Sequence, residues 1–109
     1  MSAMLFLLQR VSAGVLALAV TVHLATVVYA VRGGLTAGEI LARTEGKAAY
    51  LTFYLVFVAA VTVHAPIGLR NVLREWLGWR GRTYDAALAL FALGLFTLGV
   101  RAVTALYLA

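Results

Sequence analysis

The chain has 109 residues, 64% of them hydrophobic, with nine Lys and Arg against four Asp and Glu, a net charge of +5 and no cysteine. So few charged side chains cannot clothe a small water-soluble globule, and lipid must be the solvent for much of the surface. The missing cysteines exclude disulfides, thiolate metal sites and covalent C-x-x-C-H haem attachment, and the positive charge sits in arginines flanking apolar runs, a topology signal that argues against nucleic-acid binding.

The first apolar run is Val11 to Val31, free of charge except for a possible one on His23. The residues before Arg10 carry no Lys or Arg, and the run behind it continues for a full span, so a retained helix over about 8–31 is expected rather than a cleaved signal peptide. The connection that follows holds Gly33 and Gly34, then a polar stretch to Lys47. Within it, residues 35–41 suit a short interfacial helix, with Thr36 as N-cap and Glu39 three residues on. The second run, Ala48 to Leu69, predicts a helix over about 48–70 and contains His64 and Pro66. Pro66 leaves the carbonyl of Thr62 without its helical partner, so a bend near the histidine is expected. The third run, Ala86 to Leu108, predicts a helix over about 84–108, interrupted by Arg101. Each run can cross about 30 Å of hydrocarbon at roughly 1.5 Å per residue. Backbone groups in lipid must pair within the segment, so the runs are helices despite many β-branched residues. The expected fold is all-α, one domain, an integral membrane bundle of three transmembrane helices.

Arg10, Arg70, Arg74, Arg80 and Arg82 lie on one side of the expected membrane; Arg32, Arg43 and Lys47 lie on the other. The excess predicts a cytoplasmic N-terminus, and the expected location is the cell inner (cytoplasmic) membrane. Trp76, Trp79 and Tyr84 at that edge read as an aromatic belt.

Polar and ionisable groups inside a span are costly and mark function by default. His64 lies about 9 Å below the end of the second helix at Arg70. Ala60 and Gly68, one turn to either side, let a flat macrocycle approach the backbone. His23 lies about 20 Å from the Arg10 end, roughly 10 Å deeper than His64, too far to share one iron with it. Its face carries Ser12, Ala19 and Ala30. Gln9, Arg10 and Ser12 open the first helix, where an arginine and a hydroxyl can donate hydrogen bonds to a quinone carbonyl or a haem propionate. Arg101, near the outer end of the third helix, can balance a propionate charge. For each residue the competing role is structural. A histidine can simply bond to a neighbouring helix, an arginine can snorkel, a serine can bond back to its own helix. Gly94 and Gly99 read as packing residues.

Two segments resemble the cytochrome b subunit, the C-type membrane anchor, of succinate:quinone oxidoreductases. Gln9-Arg10-Val11-Ser12-Ala13-Gly14 resembles that family's His-Arg-x-Ser-Gly opening. His64-Ala65-Pro66-Ile67-Gly68-Leu69-Arg70-Asn71, with Glu75 beyond, resembles its His-x-x-x-Gly-Ile-Arg-His segment and following acid. The resemblance spans residues 9 to about 107. It implies that His64 is an axial ligand of haem b, that Arg70 lies near a propionate, and that Arg10 and Ser12 lie near the quinone substrate. It implies partners too: a second small membrane anchor subunit completing the ligation, an iron–sulfur subunit and a flavoprotein that does the dicarboxylate chemistry. Members of the superfamily carry one haem or two, and the depth of His23, with Arg101 beyond it, suits a second, outer one. This chain departs from the pattern at Gln9, which replaces a histidine. Phe6 stands where some members have a serine, Asn71 replaces the second histidine, and Glu75 replaces an aspartate.

The rival readings are the cytochrome b subunit of another quinone-linked dehydrogenase, a small multidrug-type transporter and a cofactor-free assembly subunit. The transporter would need four helices and an intramembrane carboxylate; three runs and no such carboxylate are present.

Overall fold

The computed structural model describes residues 2–109. They form α1 (Ala3–Gly33), α2 (Ala37–Thr44), α3 (Ala48–Leu77) and α4 (Arg82–Tyr107), with no strand among the described residues. α1, α3 and α4 are long and apolar enough to cross a membrane. They run further than the apolar stretches alone indicate. α1 starts at Ala3, where the Ser2 hydroxyl accepts from the Leu5 N–H. α3 continues past Arg70 to Gly78, whose left-handed φ of 63° ends the helix where a side chain would be strained. The molecule is a rod 48 Å long and 23 Å across, longer than about 30 Å of hydrocarbon, so the extra turns stand in the headgroup zones.

α3 is the central element: α1 packs on it along one side and α4 along another. The inward stripe of α1 is Leu5, Gln9, Ser12, Leu16, Ala19 and His23, at alternating spacings of four and three. α1 and α3 are antiparallel, with Gln9 over Gly68, Ser12 beside His64 and His23 beside Tyr54. Against α4, the Tyr84 hydroxyl donates to the Arg70 carbonyl and the Tyr50 hydroxyl to the Val103 carbonyl. Tyr84, expected in an exposed aromatic belt, is instead 3% exposed and clamps α4 to α3, while Trp76 at 81% does face outward. Few apolar side chains are buried, and Leu18, Leu90 and Leu98 are more than half exposed. Lipid, not water, suits these faces.

The first connection is ordered. Thr36 caps α2, its Oγ1 accepting from the Glu39 N–H and donating to the Glu39 carboxylate at 2.6 Å. α2 then folds against the ends of α3 and α4. The Gly46 N–H and the Thr44 hydroxyl reach the carbonyls of Tyr107 and Leu106, groups a helix end leaves without partners. α3 remains α-helical through Pro66.

At Gly99 the seam between α3 and α4 is closed to any side chain. A Cβ there would stand 2.7 Å from Cγ1 of Val58, a branched and stiff neighbour. Gly99→Leu should therefore lower stability by about 1–3 kcal/mol through overpacking, read as an earlier thermal unfolding in detergent. Val58→Ala in the Gly99→Ala background should restore part of what Gly99→Ala alone loses.

Candidate functional site

The two segments singled out at the sequence level meet across the α1–α3 seam. Ser12 is 6% exposed, the one buried polar side chain among the described residues. Its Oγ lies 3.1 Å from the Gln9 carbonyl and 3.4 Å from Nδ1 of His64, a residue 52 positions away. Ala60, buried one turn from His64, and Gly68, one turn the other way, are its small neighbours along α3. The Gln9 side chain lies over Gly68, its amide nitrogen 3.5 Å from where a Cβ would stand. Its Oε1 is buried without a hydrogen-bond partner.

Arg10 is not part of this cluster. It is exposed, with its guanidinium 5.6 Å from the centre of the Phe6 ring. Arg70 lies half-buried one to two turns beyond His64, its backbone carbonyl accepting from the Tyr84 hydroxyl. Arg101 is exposed on α4 near the level where Tyr50 meets Val103.

His23 forms a second node. Its Nδ1 is 2.8 Å from the Tyr54 hydroxyl, which also lies 3.5 Å from Thr26 Oγ1. The imidazole stands edge-on to the rings of Tyr54 and Phe57. Together with Val58, Val61, Leu95, Leu98 and Gly99, these residues line an open groove of about 420 Å³ spanning α1, α3 and α4. Tyr54 is the residue the sequence reading passed over. A tyrosine deep in an apolar run needs a partner for its hydroxyl, and that was the available signal.

The register also revises the depth. Tyr54 and His64 are ten residues apart on α3, so the two histidines stand about 15 Å apart along the rod, not 10 Å. Arg10 and Arg70 do not mark one level. Gln9 faces Gly68, so Arg70 projects roughly one turn further out than Arg10. The greater offset strengthens the argument that the histidines cannot ligate one iron.

No group of three His, Asp or Glu able to hold a bare metal ion is present among the described residues. A haem asks less of a protein, because the porphyrin supplies four nitrogens and the chain one or two axial side chains. One neutral imidazole with Nδ1 engaged and small neighbours fits that requirement at His64. Comparison with protein-family models, curated proteins and solved structures found no match.

Replacing Tyr54 by Phe removes the hydroxyl from His23. In a membrane seam such bonds average about 0.6 kcal/mol. A double-mutant cycle of Tyr54→Phe with His23→Ala should show a coupling energy of about that size. Strictly additive losses would mean that the two side chains do not bond.

Proposed function

We propose that this chain is a membrane anchor subunit of a succinate:quinone oxidoreductase, holding haem b through His64 and contributing to a quinone site at the arginine-rich end. The observation that carries the reading is the meeting of the two family-like segments at one point, Ser12 against His64 and Gln9 over Gly68. Two motifs more than fifty residues apart have no local reason to meet. A shared site supplies one.

In this reading the haem, when bound, supplies one-electron redox chemistry, and the protein sets its ligation and potential. His64 offers the axial nitrogen. Arg70, half-buried beyond it, balances propionate charge. Gln9 and Ser12 line the seam and Arg10 its exposed edge, toward the quinone. The N-terminus is cytoplasmic, in the inner membrane, and electrons pass between an iron–sulfur subunit and quinone while a flavoprotein subunit performs the dicarboxylate chemistry. α4 carries no histidine, so a second small anchor subunit would complete the coordination of a haem held by His64. The test is the visible spectrum of the complex purified through this chain. Succinate-reducible b-type bands are expected, and His64→Ala should remove the low-spin haem while the complex still assembles. Normal haem occupancy in that variant would refute the assignment.

The groove beside His23 favours an outer haem as well, with Arg101 balancing a propionate. That arrangement gives a haem-to-flavin ratio near two, falling to near one in His23→Ala. A ratio of one in both proteins would leave His23 as a structural partner of Tyr54.

A further inference from the structure

We propose that Ser12 is a positioning residue for His64: its hydroxyl fixes the ring's tautomer and orientation so that Nε2 carries the lone pair. The proposal rests on His64 being a haem ligand, and it moves Ser12 from the quinone to the imidazole.

A serine hydroxyl has one proton and two lone pairs. A backbone carbonyl can only accept, so the 3.1 Å contact with the Gln9 carbonyl takes that proton. Toward His64, 3.4 Å away, Oγ is left only as an acceptor. The neutral imidazole must then donate from Nδ1, which puts its remaining lone pair on Nε2. A ligating histidine commonly donates its other N–H to an oxygen, which holds the ring plane and raises the basicity of the ligating nitrogen. Here that oxygen comes from the neighbouring helix and is itself held by its own backbone. Burial protects the arrangement, because Ser12 is 6% exposed and water cannot substitute for it. Along α3 the neighbours one turn to either side of the histidine are the small residues Ala60, which is buried, and Gly68, over which the Gln9 side chain lies.

Two measurements test this, one of them independent of haem. In the full chain labelled with ¹⁵N-histidine, His64 should show the Nδ1-protonated tautomer. Ser12→Ala should shift it toward the Nε2-protonated form, and Ser12→Thr, which keeps the hydroxyl, should preserve it. In the purified complex, Ser12→Ala should weaken haem retention by about 10- to 100-fold. It should also raise the haem midpoint potential, because a less basic imidazole stabilises the ferric state less, and Ser12→Thr should restore both. An Nε2-protonated parent overturns the proposal, as does a Ser12→Ala protein with parental tautomer, haem retention and potential. In either case haem loss in His64→Ala would still stand. If His64→Ala keeps its haem, the ligand reading fails and this proposal fails with it.

Discussion

A hydroxyl or imidazole wedged between helices in hydrocarbon has no water to bond, so it must find its partner across the seam. The α1–α3 interface is organised by that constraint. Ser12 meets His64 near one end, and His23 meets Tyr54 about 15 Å away. Between them α1 presents Leu16 and the buried Ala19, which pack without specifying a register. Apolar contact alone cannot specify it, because lipid tails are as apolar as leucine. The two polar pairs can, since a slip of one residue would carry both donors past their acceptors. Each histidine pins the helices through Nδ1, and a ligand would be taken by Nε2, so structural and chemical roles for the same ring do not compete.

α3 serves as a wall shared by α1 and α4, and the asymmetry of its two seams matters. Toward α4 it is closed tightly, by Gly99 against Val58 and by tyrosine hydroxyls on backbone carbonyls at both ends. Toward α1 it makes the two histidine contacts, and the groove opens where all three helices meet. α2 ties the far end together by occupying the last carbonyls of α4. The result is a stiff two-helix support, α3 with α4, on which α1 presents polar side chains. Under the proposed function this division suits an electron carrier, since a rigid wall keeps an axial ligand at fixed depth.

The spans and the interfacial helix were legible because their causes are local. Twenty apolar residues dictate a spanning helix, and Thr36 with Glu39 dictates where α2 begins. Ser12, His64, Ala60 and Gly68 could be nominated from their rarity or size inside a span. What could not be read was who faces whom. Tyr54 sits among Phe53, Leu55 and Phe57 and looks like one more apolar residue until α1 supplies His23. Tyr84 looks like an interfacial anchor until the turn from Gly78 to Gly81 brings it back onto Arg70. The depth offset was misjudged because two arginines were assumed level, and only helix register decides that.

Gln9 takes part in the seam through both its backbone and its side chain. Its backbone carbonyl takes the proton of Ser12, and its side chain covers Gly68. Its Oε1 is nevertheless buried without a partner. Turning the amide over would exchange an orphaned acceptor for an orphaned donor and would not remove the defect. An unsatisfied buried group costs about 1–3 kcal/mol, a large penalty beside the roughly 0.6 kcal/mol that a hydrogen bond in such a seam contributes. The hydroxyl of Ser12 has no proton left to give, and Arg10, one residue on, points outward over Phe6. Under the proposed function, a group outside these helices would supply the donor, at the end of the seam that holds His64. If the chain is the anchor proposed above, sharing its site with a partner chain would give Gln9 a reason to keep such a group.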